Sequence, residues 1–168
     1  GWQGEKRSGH AAYVSWSHQK PTHDWFFQAQ DYSQDFQADQ GFVPQVGFRS
    51  AFLETGRTFR PKKGFLSRIR VWGQANRDTD LDNNTLSESV RPGVGMDGKY
   101  NTFFRVWLDF GRVRAGLGPE SGTLPRQRVQ WIFNISPSRV LSYVDLQGSY
   151  GNEVDFSAAR RARGGTLN

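Results

Sequence analysis

Hydrophobic and polar residues alternate along most of this chain with a period of two. In Gly41 to Glu54, GFVPQVGFRSAFLE, Phe42, Val46, Phe48 and Phe52 share one parity. Gln45, Gly47 and Arg49 share the other, with Pro44 interrupting the apolar side. Successive side chains of a strand point to opposite faces, so this alternation predicts strands rather than helices. The same pattern sets Ala12, Val14 and Trp16 against Tyr13, Ser15 and Ser17 in Ala11–Gln19, and Trp25, Phe27 and Ala29 against Gln28 and Gln30 in Asp24–Tyr32. Phe65–Ala75 opposes Phe65, Ile69 and Val71 to Arg68, Arg70, Trp72 and Gln74. In Asn101–Arg112 the apolar row is Phe104, Val106, Leu108 and Phe110, facing away from Arg105, Trp107 and Asp109. In Arg126–Ser136, Val129, Trp131, Phe133 and Ile135 oppose Arg128, Gln130 and Asn134. Thr85–Met96, broken by Pro92, Gly93 and Gly95, is the weakest strand, and Arg139–Tyr150 the last.

Turn-forming residues separate these segments. Lys20-Pro21-Thr22-His23 and Ser136-Pro137-Ser138 read as short turns, and Asp97-Gly98 as a tight hairpin. Ser33–Gln40, Asn76–Asn84 and Val113–Pro125 read as long loops, and the basic Gly56–Gly64 as intermediate. Strands of roughly ten residues with short turns at one end and long loops at the other suit an all-β, antiparallel, up-and-down transmembrane barrel, or an eight-strand portion of a larger one. A soluble barrel or sandwich binding a glycan or lipid shares this periodicity but turns its apolar face inward. Lys is scarce within the strands, and the polar rows are rich in Arg and Gln, which favours the membrane arrangement.

The 168 residues suffice for one domain. With 6 Trp, 13 Phe and 19 Gly the composition favours pleated strands and turns. There is no cysteine, which excludes disulfides and thiolate chemistry. No apolar run approaches the ~20 residues of a membrane helix. The net charge of +6 raises nucleic-acid binding, but the arginines are spread through alternating strands, so no nucleic-acid partner is expected.

If the polar face lines a lumen, Arg49, Arg68, Arg70, Arg105 and Arg128 would draw anions or polar solutes inward; alternatively they pair with acids such as Asp109, Asp145 and Glu88 and fill the interior. Trp25, Tyr32, Trp72, Tyr100, Tyr143 and Tyr150 lie near predicted strand ends, where a membrane-interface belt places its rings. Asp78, Asp80 and Asp82 with Asn83 and Asn84 resemble a calcium loop only superficially, since the glycine and closing glutamate of an EF-hand are missing; no metal or cofactor is expected. His10, His18 and His23 with Ser15 and Ser17 lack the nucleophile elbow of a hydrolase, and the expectation is a non-enzyme.

The segment from Asp31 to Pro44, DYSQDFQADQGFVP, resembles a signature in the C-terminal barrel region of a bacterial family of uncharacterised surface proteins, whose N-terminal domain is similar to family 9 carbohydrate-binding modules. The likeness extends from Tyr13 through Asn101-Thr102-Phe103 to about Tyr150, with Gln45 where a basic residue is common. It implies a bacterial outer-membrane location and a barrel in contact with lipid; with the strand pattern, the expectation is a porin-like channel or surface receptor component. Its partners would be a polar or anionic solute or a glycan, and the remainder of the same barrel or a partner subunit. Residues 1–168 then form one barrel domain or a fragment of one. The basic, Gly-containing tail at 157–168 does not end on the aromatic residue usual for such barrels, and reads as a lead-in to a further strand.

Overall fold

The computed structural model describes residues 8–36, 46–116, 122–156 and 158–168. Its regular elements are nine strands: β1 (Ala11–Gln19), β2 (His23–Tyr32), β3 (Phe48–Phe59), β4 (Leu66–Asp80), β5 (Thr85–Gly98), β6 (Thr102–Ala115), β7 (Gly122–Ile135), β8 (Val144–Asp155) and β9 (Arg160–Leu167). They form one sheet in chain order, every neighbour antiparallel. The count is nine rather than eight because the basic tail is itself a strand, with Arg160–Leu167 paired along Gly148–Asp155. Phe42, Pro44, Gln45 and the stretch 37–44 of the family-like segment lie outside the described residues.

Several predicted loops are strand. β4 continues through Asn76 to Asp80, because Asn76, Asp78 and Thr79 have partners on both β3 and β5. The turn at 81–84 is tight, with Asn83 at φ 63 and Asp80 accepting from the Asn84 amide. β6 and β7 likewise reach into the predicted loop, ending at Ala115 and beginning at Gly122. Asp97 and Gly98 do not form a turn: they pair with Phe103 and Thr102, and the turn falls on Tyr100 and Asn101, both at positive φ. Two consecutive residues at positive φ make a type I′-like hairpin that continues the strand twist. The connection at 136–143 is longer than predicted, so the expected alternation of short turns and long loops does not survive.

Register assigns every strand residue to one of two faces. Gln74 pairs with Glu54 and Arg91, Trp107 with Gly93 and Gln130, and Asp109 with Arg128, so these share a face. The opposite face carries the row Phe27, Leu53, Ala75, Val90, Phe110, each paired to the next across β2 to β6. Exposure shows which face is sheltered. Along β3, Ala51, Leu53, Thr55, Arg57 and Phe59 are exposed, whereas Phe52 and Glu54 are half-buried and Gly56 and Thr58 buried. Val71 is 52% exposed, Val90 56%, Leu108 42% and Leu146 43%, while Asp109 is fully buried. Ala115 is the sole buried hydrophobic residue among the described residues. The usual order is thus inverted: charge is sheltered and the apolar side is bare.

The sheet curls toward its polar face. Glu54 on β3 and Ile132 on β7 line one cavity of about 400 Å³, although four strand spacings in a flat sheet would separate them by about 19 Å. Glycines make room for this curvature. A Cβ on Gly93 would come within 2.5 Å of the Trp72 ring, and one on Gly56 within 2.6 Å of the Arg70 guanidinium, so each large side chain lies flat over its neighbour's bare backbone. Pro92 offers no N–H, and the β5–β6 ladder is interrupted at Arg91 and Pro92, beside Asp109. Replacing Gly93 by Ala forces Trp72 off its seat; the expected cost is about 1–3 kcal/mol in equilibrium unfolding, and an unchanged midpoint would contradict this packing.

Candidate functional site

The polar face carries a chain of ion pairs centred on β6. Asp109, between the apolar outward positions Leu108 and Phe110, points inward and is wholly buried. Three guanidiniums converge on it: Arg91 Nε at 3.3 Å, Arg126 Nη2 at 3.3 Å and Arg128 Nε at 3.2 Å. Arg128 also donates to Glu153 on β8. A carboxylate cannot be withdrawn from water at acceptable cost unless it is paired, and three cations from β5 and β7 meet that requirement. A second node lies on β4, where Arg70 donates to Asp24 across β3 and to Glu54 at 2.8 Å. Gln74 donates to the other Glu54 oxygen at 2.7 Å.

Between the nodes stand the indoles of Trp72 and Trp107, ring centroids 6.3 Å apart at 46°. Trp107 Nε1 donates to Gln130 Oε1 at 3.2 Å. Glu54, Arg70, Trp72, Gln74, Arg91, Arg105, Trp107, Arg128 and Gln130 thus surround the cavity on the polar face. Another cavity, of about 410 Å³, opens among Phe27, Ala51, Leu53, Ala75, Val90 and Phe110, where small alanines leave a dent in the apolar face; its lining is mostly hydrocarbon.

The predicted arginines divide. Arg70, Arg105 and Arg128 line the cavity, and Arg68 shares their face but pairs with Asp97 at 2.5 Å, nearer the turn at Tyr100. Arg49 is corrected. It stands on the apolar face at its rim, bonded to Asp31 at 3.0 Å, to the Leu81 carbonyl and to Asn83. The alternation within β3 is as expected, but Phe48 and Phe52 point toward the polar face, where they stack on Tyr32 and tilt against Phe26. Arg70 pairs with Asp24 and Glu54 rather than with any of the acids named from the sequence. Glu88 instead holds Arg112 at 2.7 Å, and Asp145 accepts from Asn134, Tyr143 and Gln147.

Among the aromatics, Trp25 lies on the apolar face, edge-on to Trp16 at 4.4 Å. Tyr100 and Tyr143 sit in turns at the same end of the sheet, and Tyr32 near the other end. Trp72 is inside the cavity, and Tyr150 lies within β8 on the apolar face under Arg163. Donation to Asp145 raises the Tyr143 hydroxyl above the ordinary tyrosine pKa. The hairpin acids are engaged by the protein: Asp80 by Asn84 and Arg114, Asp78 by Ser87. Ser15 and Ser17 lie on the face opposite His18, which stacks on His23 and Trp25.

No family model, curated protein or solved structure matches the chain. The site therefore rests on its own geometry.

Sequence reasoning missed Asp24, Glu54, Arg91, Arg126 and Glu153. Asp24 and Arg126 are the first residues of predicted strands, next to predicted turns and outside the alternating rows, and Arg91 lies in the segment that Pro and Gly make the weakest predicted strand. Glu54 shares parity with Phe48 and Phe52, which had been assigned outward. Once the β3–β4 register is set, Glu54 opposite Gln74 is the signal that identifies the face.

Asp109→Ala strands three guanidiniums beside a void, and we expect about 3–5 kcal/mol of destabilisation, read from equilibrium unfolding. Combining it with Arg128→Gln should cost less than the sum of the single changes; strict additivity would show that the pair is not coupled.

Proposed function

We propose that the chain is the wall, or part of the wall, of a bacterial outer-membrane β-barrel that passes or receives polar or anionic solutes. The observation supporting this most strongly is the inverted sheet: exposed hydrocarbon on one face and a compensated charge network on the other. Water rewards the opposite arrangement, whereas a bilayer favours this one. On β6 four consecutive outward residues, Phe104, Val106, Leu108 and Phe110, lie between Thr102 and Arg112. That interval is about 33 Å along the strand, or about 25 Å after a tilt of ~40°, the height of a barrel's apolar band. Above the band, Arg49, Arg77, Glu88 and Arg112 form a charged rim suited to headgroups.

The inner face is lined by polar side chains, as in barrels that hold water or solute. Because nine antiparallel strands alternate in direction, β1 and β9 point the same way. Antiparallel closure therefore takes an odd number of further strands, from the remainder of the barrel or from a partner subunit. In this reading the chain performs no covalent chemistry; its work is selection by shape and charge.

Leu108→Arg separates this reading from a soluble fold. In lipid vesicles it should cost about 2–4 kcal/mol of folding free energy, whereas an exposed site in water would tolerate it within about 0.5 kcal/mol. The unsubstituted chain should need detergent to stay dispersed and should migrate differently on unheated gels. A folded, detergent-free monomer indifferent to the arginine would defeat the proposal.

A further inference from the structure

The charge network leaves one guanidinium of the cavity uncommitted. Arg70 is held by Asp24 and Glu54, and Arg91 and Arg128 by Asp109, but Arg105 has no acid partner among the described residues. It is exposed into the cavity, its guanidinium 4.6 Å from the Phe103 ring centroid. A different observation points the same way. Around Asp109 three arginines face two carboxylates, Asp109 and Glu153; Arg91 Nε faces Asp109 Oδ1 at 3.3 Å, and Arg126 Nε is buried without a hydrogen-bond acceptor. Buried donors of this kind are rarely left unmatched in a finished site. The side of the cavity that carries Arg91, Arg105 and Arg128 therefore has spare positive charge.

Its other wall is aromatic. Trp72 and Trp107 are tilted rather than stacked on each other, so their faces are not consumed by mutual contact. Gln130 fixes the Trp107 indole through Nε1 and holds the ring in place. We propose that this cavity binds an oxyanion (phosphate, sulfate or carboxylate) at Arg105, with the ring-shaped body of the solute that carries it lying against Trp72 and Trp107. Guanidinium groups present paired N–H donors that match the oxygens of such anions, and tryptophan faces supply broad, rigid apolar contact. This deepens the reading of the polar face as a solute-facing surface and rests on it: the anion names the class of solute the wall would select.

The test is a titration of the folded, detergent-solubilised chain with inorganic phosphate and with phenyl phosphate at low salt, followed by calorimetry and tryptophan fluorescence. Phenyl phosphate should bind several-fold more tightly than phosphate and quench the indoles. Arg105→Gln should weaken both by roughly ten- to a hundredfold, the worth of one charged hydrogen bond. Arg68→Gln, on the same face but outside the cavity, should leave both unchanged. Circular dichroism of each variant reports that the sheet is retained. An unsubstituted chain that binds neither probe, equal affinity for the two, or equal loss in the Arg68 and Arg105 variants would overturn the proposal. Were the chain a detergent-free monomer, the same titrations in buffer would still report on the anion site, so failure of the membrane reading and failure of this one are read separately.

Discussion

Asp109 is the point on which the sheet's arrangement turns. A fully buried carboxylate survives only with compensation, and here it comes from guanidiniums on both neighbouring strands, Arg91 on β5 and Arg126 and Arg128 on β7. Those contacts fix which parity of β6 faces inward. Antiparallel pairing then propagates the choice, since a shift of one residue would send every side chain of a strand to the wrong face. Leu108 and Phe110 are outward because Asp109 is inward. The exposed hydrocarbon and the sheltered charge are two consequences of one register.

The curvature follows from how large side chains are seated. Trp72 reaches over Gly93 to meet Trp107 two strands away, and Arg70 lies over Gly56 to reach Asp24. With a Cβ at either glycine, the side chain that crosses it would have to lift from the sheet. Interruption of the β5–β6 ladder at Arg91 and Pro92 falls where the densest charge cluster sits. Glycine and proline in β5, which make that segment look unlike a strand, are what let the polar face close around its own charges.

This explains how far the sequence could be read. Period-two alternation was enough to find eight strands, their antiparallel meander and the correct parity in β1, β2, β4, β6 and β7. It failed where one face is not uniformly polar. In β3 the inward positions include Phe48 and Phe52, so parity was right and the assignment of faces was not; Arg49 followed it to the wrong side. Loop predictions failed where polar residues are strand residues turned inward, as with Asn76 and Asp78, since a sheltered polar wall has the composition of a solvent loop. The tail at 157–168 reads as a lead-in to a further strand, but a basic, glycine-containing segment has little hydrophobic period to detect, and that Arg160–Leu167 is itself the strand is seen only in its pairing with β8. The site was half legible. Arg70, Arg105, Arg128 and Asp109 could be named from their faces, but Asp24, Glu54, Arg91 and Glu153 became visible only when the folded sheet brought Asp24 and Glu54 to Arg70, Arg91 to Asp109 and Glu153 to Arg128.

The central claim is that the two faces meet different media, and the lack of native cysteine makes it directly measurable. Single cysteines at the outward positions Val71, Leu108 and Leu146 and the inward positions Gln74, Gln130 and Ser149 can carry nitroxide labels in lipid vesicles. Collision with oxygen, which partitions into lipid, and with a water-soluble nickel complex then reports each label's surroundings. The account predicts high oxygen and low nickel accessibility at the three outward sites, and the reverse at the three inward ones. Nickel collision dominating at Val71, Leu108 and Leu146 would contradict it.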